Sequence, residues 1–225
     1  MPELPMNQAV LTAAVTRFAQ FTRVDEIWDE YLAATGGQPD PALPAHRTAL
    51  LRWLNLAGCR IRYPRPGEPD LFDTGLAAWW ETWGTALPRR PLAQLTDDDL
   101  DTLGPCFAEL AATQAALSPA TGRARTLGPT AAAKALHALR PQSLMPWDEA
   151  IAAHLHGARD HTAYVAHQRL GRTWAARILQ EAGLDPDLDG ALKLAAGLGR
   201  PARPLPKMLD DYCYLALTAD GGSAS

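Results

Sequence analysis

Apolar residues recur at intervals of three and four along almost the whole chain, and nowhere do they alternate with polar ones for long enough to require a sheet. In "NQAVLTAAVTRFAQFT" the set is Val10, Leu11, Ala14, Val15, Phe18 and Phe21. "VDEIWDEYLAATGG" repeats the spacing with Ile27, Trp28, Tyr31 and Leu32 and closes on the glycine pair expected past a helix end. "PAHRTALLRWLNLAGCR" buries Leu50, Leu51, Trp53 and Leu54 on the same logic. Such a chain is expected to be all-α, a compact multi-helix domain.

The interruptions are as informative as the helices. "RIRYPRPGEPD" holds three prolines and a glycine, which remove backbone donors and fix φ, so it reads as a loop. "CRIRY" just before it is the one fair strand candidate. "LTDDDLDTLGPCFAELAATQAAL" reads as one helix, with Thr96 or Asp97 as its cap and an acidic first turn that suits the helix dipole. Those aspartates lack the alternating spacing and terminal glutamate of a calcium loop. At 225 residues and 47% hydrophobic, the chain can bury one sizeable core. A single helical domain over residues 1–225 is the simplest organisation, the alternative being subdomains 1–119 and 120–217, with 218–225 as a disordered tail.

Composition narrows the function classes. The longest apolar runs are too short to cross a bilayer and the acidic start lacks a signal-peptide pattern, so a cytoplasmic protein with no membrane partner is expected. Cys59, Cys106 and Cys213 form no C-x-x-C pair, and His154, His156, His161 and His167 lack the spacing of helical metal ligands; neither a metal nor a cofactor is implied. No serine-hydrolase elbow, Walker loop or dinucleotide fingerprint occurs. The net charge of −4 hides an asymmetry: the balance is −6 over residues 1–119, +5 over 120–207 and −3 thereafter. A local basic face able to meet phosphates is compatible with that distribution, as is a basic segment scattered over the surface.

Three stretches carry candidate chemistry. "TGLAAWWETWGTAL" places Trp79, Trp80 and Trp83 on one helix; they could stack on unpaired bases, though core packing explains them better. "ATGRARTLGPTAAAKALHAL" sets Arg123 and Arg125 beside Gly128, with Thr130 as the cap of a helix that carries Lys134, a plausible phosphate seat as well as an ordinary helix start. "PQSLMPWDEAI" then crosses to a helix capped by Asp148. Further on, "LGRPARPLPKMLDDY" strings Arg200, Arg203 and Lys207 between prolines. These could track a phosphate backbone, or Lys207 could pair with Asp210 or Asp211. Together with "WLNLAGCR", this segment is similar to sequences from bacteria.

A glycine turn at Gly128, a lysine-bearing helix, and Pro146-Trp147-Asp148 twenty residues on resemble the helix-hairpin-helix DNA glycosylase superfamily over some 25 residues. The resemblance implies an all-helical fold with a helix-hairpin-helix-like element. It also implies excision of a damaged or modified base from duplex DNA. Asp148 would be the catalytic carboxylate, stabilising positive charge on the sugar or orienting the nucleophile. Lys134 would be the candidate amine nucleophile of a lyase, with simple hydrolysis by water as the alternative. Arg123, Arg125, Gly128, Thr130, Arg203 and Lys207 would contact DNA, and Trp147 would stack on the flipped base. The competing reading is a non-enzymatic helical DNA-binding or protein-interaction module in which Asp148 is only a helix cap.

Overall fold

A computed structural model describes residues 4–20 and 23–219. The elements run α1 (Gln8–Phe18), α2 (Arg23–Ala34), α3 (Pro44–Leu56), α4 (Leu71–Trp83), a 3-10 turn (Leu92–Gln94) and α5 (Asp97–Ala112). There follow strands β1 (Gln114–Leu117) and β2 (Ala124–Thr126), then α6 (Pro129–Leu139), α7 (Glu149–His156), α8 (His161–Glu181), α9 (Leu188–Gly197), α10 (Leu205–Tyr214) and a π-helical turn (Leu215–Ala219). The all-α expectation holds, with a single two-stranded antiparallel hairpin among the described residues. Phe21 lies outside them, as does most of the segment expected to be a tail, of which residues 218–219 complete the π turn.

Side-chain caps start six of the helices. Asn7, Asp70, Thr96, Asp148, Asp160 and Asp187 each accept the backbone N–H three residues on, satisfying a donor that has no partner inside the helix. Thr96 adds a full capping box with Asp99. Thr130 is not a cap. Gly128 holds that position at φ +80°, Pro129 takes the first helical position and Thr130 the second, because only glycine adopts the left-handed turn at no steric cost.

Two local expectations are corrected. The apolar run "QAAL" leaves the helix, since α5 ends at Ala112 and Gln114–Leu117 pairs with Ala124–Thr126. "CRIRY" forms no strand: the Asn55 side chain takes both the N–H and the C=O of Ile61, at 2.6 and 2.8 Å, and so occupies the backbone groups a ladder would need. The hairpin also means that the Gly128 turn is entered from β2 rather than directly from a helix, with α5 packed on α6 behind it.

The longest helix, α8, packs along α5 and also meets α1, α7, α9 and α10. Helix α1 docks on α10, so the two ends of the described chain close on each other. The tryptophan run packs as core: Trp79 is buried and donates to the Cys106 carbonyl, Trp83 donates to Glu109, and the Arg140 guanidinium covers Trp80 at 5.3 Å. Gly75 allows α4 to lie against the start of β1, since a Cβ there would meet Thr113 Cγ2 at 2.5 Å and the Gln114 carbonyl oxygen at 2.9 Å.

Candidate active site

Helices α2, α3, α6 and α10 and the 146–148 crossing enclose a cavity of about 470 Å³, within the range of roughly 300–1,000 Å³ typical of small-molecule sites. Its wall is largely aromatic, from Phe18, Trp28, Trp53 and Tyr214. Its polar groups are Lys134, His137, Asp148, Arg203, Lys207 and Asp210. A second, more open cleft shares Lys134 and Asp148 with it and runs out past Gly128 and Thr130. Five sequence-derived candidates, Lys134, Trp147, Asp148, Arg203 and Lys207, thus meet in one place.

Asp148 is half-buried and its Oδ1 accepts the Ile151 amide at 2.9 Å. Of the six capping side chains it alone lines this cavity. The crossing that delivers it is held from beneath. Trp147 is completely buried, with Nε1 donating to the Pro129 carbonyl and its ring edge-on to Phe107 and Tyr164. It borders the cavity, but its side chain is covered by these neighbours, so the stacking role expected for Trp147 is corrected to one of bracing. His167 sits under the same crossing, its Nε2 3.1 Å from the Pro146 carbonyl and its Nδ1 3.1 Å from His156 Nε2. Since a carbonyl can only accept, His167 carries its proton on Nε2 and accepts from His156 through Nδ1. Burial drops the His167 pKa to about 3, aided by the neighbouring His156, so the pair is neutral at ordinary pH.

Lys134 projects from α6 and donates to the Ala57 carbonyl at 2.7 Å. That carbonyl lies where α3 ends in a turn whose Cys59 amide reaches back to the Leu54 carbonyl, with Gly58 at φ +87° making the reversal. One of the three Lys134 protons is engaged in this bond.

The α10 segment differs from expectation. Pro204 caps the helix and Leu205 begins it, so Lys207 lies in its first turn rather than on an extended arm. Lys207 Nζ contacts Asp210 at 2.5 Å and Asp211 at 2.6 Å, and Arg203 contacts Asp211 at 2.6 Å. Both cations also lie over the Phe18 ring. Burial opposes the Lys207 charge, but the two carboxylates outweigh it and the pKa is raised; burial likewise raises that of Asp210. Arg203 is buried and Lys207 half-buried, and both charges are engaged by carboxylates of α10 rather than strung along an extended arm. Arg123 and Arg125 stand apart from the cavity, exposed on and before β2.

The residue missed by sequence reasoning is His137. It is one turn along α6 from Lys134, buried, and stacked on Trp28 at 5.5 Å. Its Nδ1 lies 2.8 Å from the Leu144 carbonyl and must donate to it. Burial lowers its pKa to about 3, against the opposing pull of the Leu144 carbonyl and with help from Lys207 and Arg203. Nε2 is therefore a bare acceptor, and no hydrogen bond reaches it among the described residues. Trp28 Nε1–H is the converse, a buried donor without an acceptor, a deficit that typically costs about 1–3 kcal/mol.

No group of three or more His, Cys, Asp or Glu able to hold a metal occurs among the described residues, and none of their helices is long and apolar enough to cross a membrane. Compared with family profiles, curated proteins and solved structures, the chain matches none.

Proposed function

We propose that the chain is a DNA N-glycosylase-like enzyme that draws a damaged or modified base into the aromatic cavity and releases it. The observation that carries this reading is the half-buried Asp148 carboxylate at the edge of a cavity walled by rings, beside Lys134. A flipped base enters the cavity and the glycosidic bond lies against Asp148. As that bond breaks, the electron pair leaves on the base nitrogen and positive charge spreads over the sugar, where the carboxylate stabilises it. Water then adds to the sugar carbon and gives its proton to Asp148. In the lyase variant the neutral Lys134 amine adds to the sugar carbon instead and passes a proton to Asp148; the ring C–O bond then breaks, its oxygen takes up that proton, and the C=N bond of a protonated Schiff base forms. The exposed Arg123 and Arg125, and the Gly128–Thr130 turn along the outer cleft, provide the DNA-facing groups.

A second reading, a non-enzymatic binding module, is favoured by one observation: the Asp148 cap has the same form as five others that have no part in the cavity. The test is base release from a panel of duplexes carrying deaminated, alkylated and oxidised bases, with wild type and Asp148→Asn. The enzyme reading expects release of at least one base and its loss by a factor of about 100 or more in the variant, the scale of removing a charged transition-state stabiliser. Release unaffected by Asp148→Asn would remove this carboxylate from the reaction.

A further inference from the structure

Two ring nitrogens, on residues that line the cavity, have no hydrogen-bond partner among the described residues. His137 Nδ1 is tied to the Leu144 carbonyl and the ring is stacked on Trp28, so the ring cannot turn over without losing that hydrogen bond. Its other nitrogen, on the opposite side of the ring, meets no donor among the described residues, while the stacked Trp28 offers an N–H with no acceptor. Every other charged group on the wall is at least partly engaged: Lys207 with Asp210 and Asp211, Arg203 with Asp211, Lys134 with the Ala57 carbonyl and Asp148 with the Ile151 amide. The unmet need is thus for a neutral planar ligand that supplies an N–H to His137.

We infer that His137 is a specificity-determining residue whose Nε2 accepts a hydrogen bond from the amino group of a heteroaromatic base, so that the cavity selects amino-bearing bases over those lacking a donor at that edge. The inference rests on the proposed use of the cavity as a base pocket. It sharpens that use by naming the class of base. A site built around a fixed acceptor rejects an analogue without the donor, because the buried nitrogen then stays unpaired. Protonated His137 would present a donor and reverse the preference, but burial keeps the ring neutral near pH 7.

The experiment uses the full chain and two probes that differ only in the amino group, 9-methyladenine and 9-methylpurine, each titrated by tryptophan fluorescence and by NMR of ¹⁵N-labelled imidazoles. We expect 9-methyladenine to bind about tenfold tighter and to move the His137 Nε2 resonance, with Nδ1 little changed. His137→Phe keeps a ring against Trp28 and should bring the two probes to equal affinity. Equal binding of the probes by wild type, binding of neither, or an unmoved Nε2 resonance would overturn the inference; the NMR readout needs no variant to fold. Its failure is distinguishable from that of the enzyme reading. Amino-selective binding without base release from any duplex leaves the base pocket and removes the glycosylase, whereas release without amino selectivity leaves the glycosylase and removes the selectivity assigned to His137.

Discussion

Lys134 and Lys207 project from different helices into the same cavity, yet they are chemically unlike. Lys207 is held by two carboxylates within its own helix, and Arg203 bridges to one of them, so that wall is nearly neutral. Lys134 has a single carbonyl partner and faces the rim where Asp148 lies. A lysine's position does not decide whether it can act; the number of acceptors already engaging it does. The α10 wall therefore reads as structure, and the α6–α7 wall is the side on which the proposed chemistry would take place.

The two lysines should differ most in what they contribute to stability. Lys207→Met should cost about 3–5 kcal/mol in urea unfolding, because it leaves Asp210 and Asp211 buried with too little positive charge. Lys134→Met should cost about 1 kcal/mol, the net worth of one hydrogen bond. Equal costs would erase the distinction between the two walls.

Acid should loosen the α6–α7 side. His137 and His167 have pKa values of about 3 in the folded chain, chiefly through burial, against an ordinary value of 6.5. The unfolded chain binds these protons first as pH falls, so the stability from the neutral imidazoles is complete above pH 6.5 and is lost on descending towards pH 3. Each group should contribute a slope of about 1.4 kcal/mol per pH unit within that window. Urea midpoints measured from pH 7 to pH 4 check this, and His167→Gln should flatten the fall by about half of the two groups' combined share. A slope identical to wild type would show that the imidazole beneath the Asp148 crossing is not held neutral.

The smallest expected change concerns Asp148 itself. Asn caps a helix as well as Asp does, so Asp148→Asn should leave stability within about 0.5 kcal/mol while Asp148→Ala loses about 1 kcal/mol. A large loss in the Asn variant would mean that the charge, and not the cap, supports the fold, and activity measurements on it would then be confounded.

Much of the helical frame was legible in the sequence because the signals are local. The spacing of Leu50, Leu51 and Leu54, the glycine pair after α2, and the caps Thr96 and Asp148 need only neighbours along the chain. The hairpin was not legible: "QAAL" and "ART" are short and lack alternation, and what makes them strands is pairing with each other. "CRIRY" had the better composition but lost its backbone groups to Asn55. At the site, Asp148 and Lys134 were found by motif, and the Lys207 pairing by its three- and four-residue spacing. The Arg203 contact with Asp211 spans the start of a helix and could not be read from spacing. The signal for His137 is its spacing, three residues from Lys134 and so on the same face of α6.

The most direct test of the base-pocket account is fluorescence anisotropy with a duplex containing a stable abasic-site analogue, against the same intact duplex, over a salt series. The expected result is a clear preference for the abasic duplex, weakening as salt rises because the proposed mode has Arg123 and Arg125 meeting phosphates. Absence of binding to either duplex at low salt would contradict it.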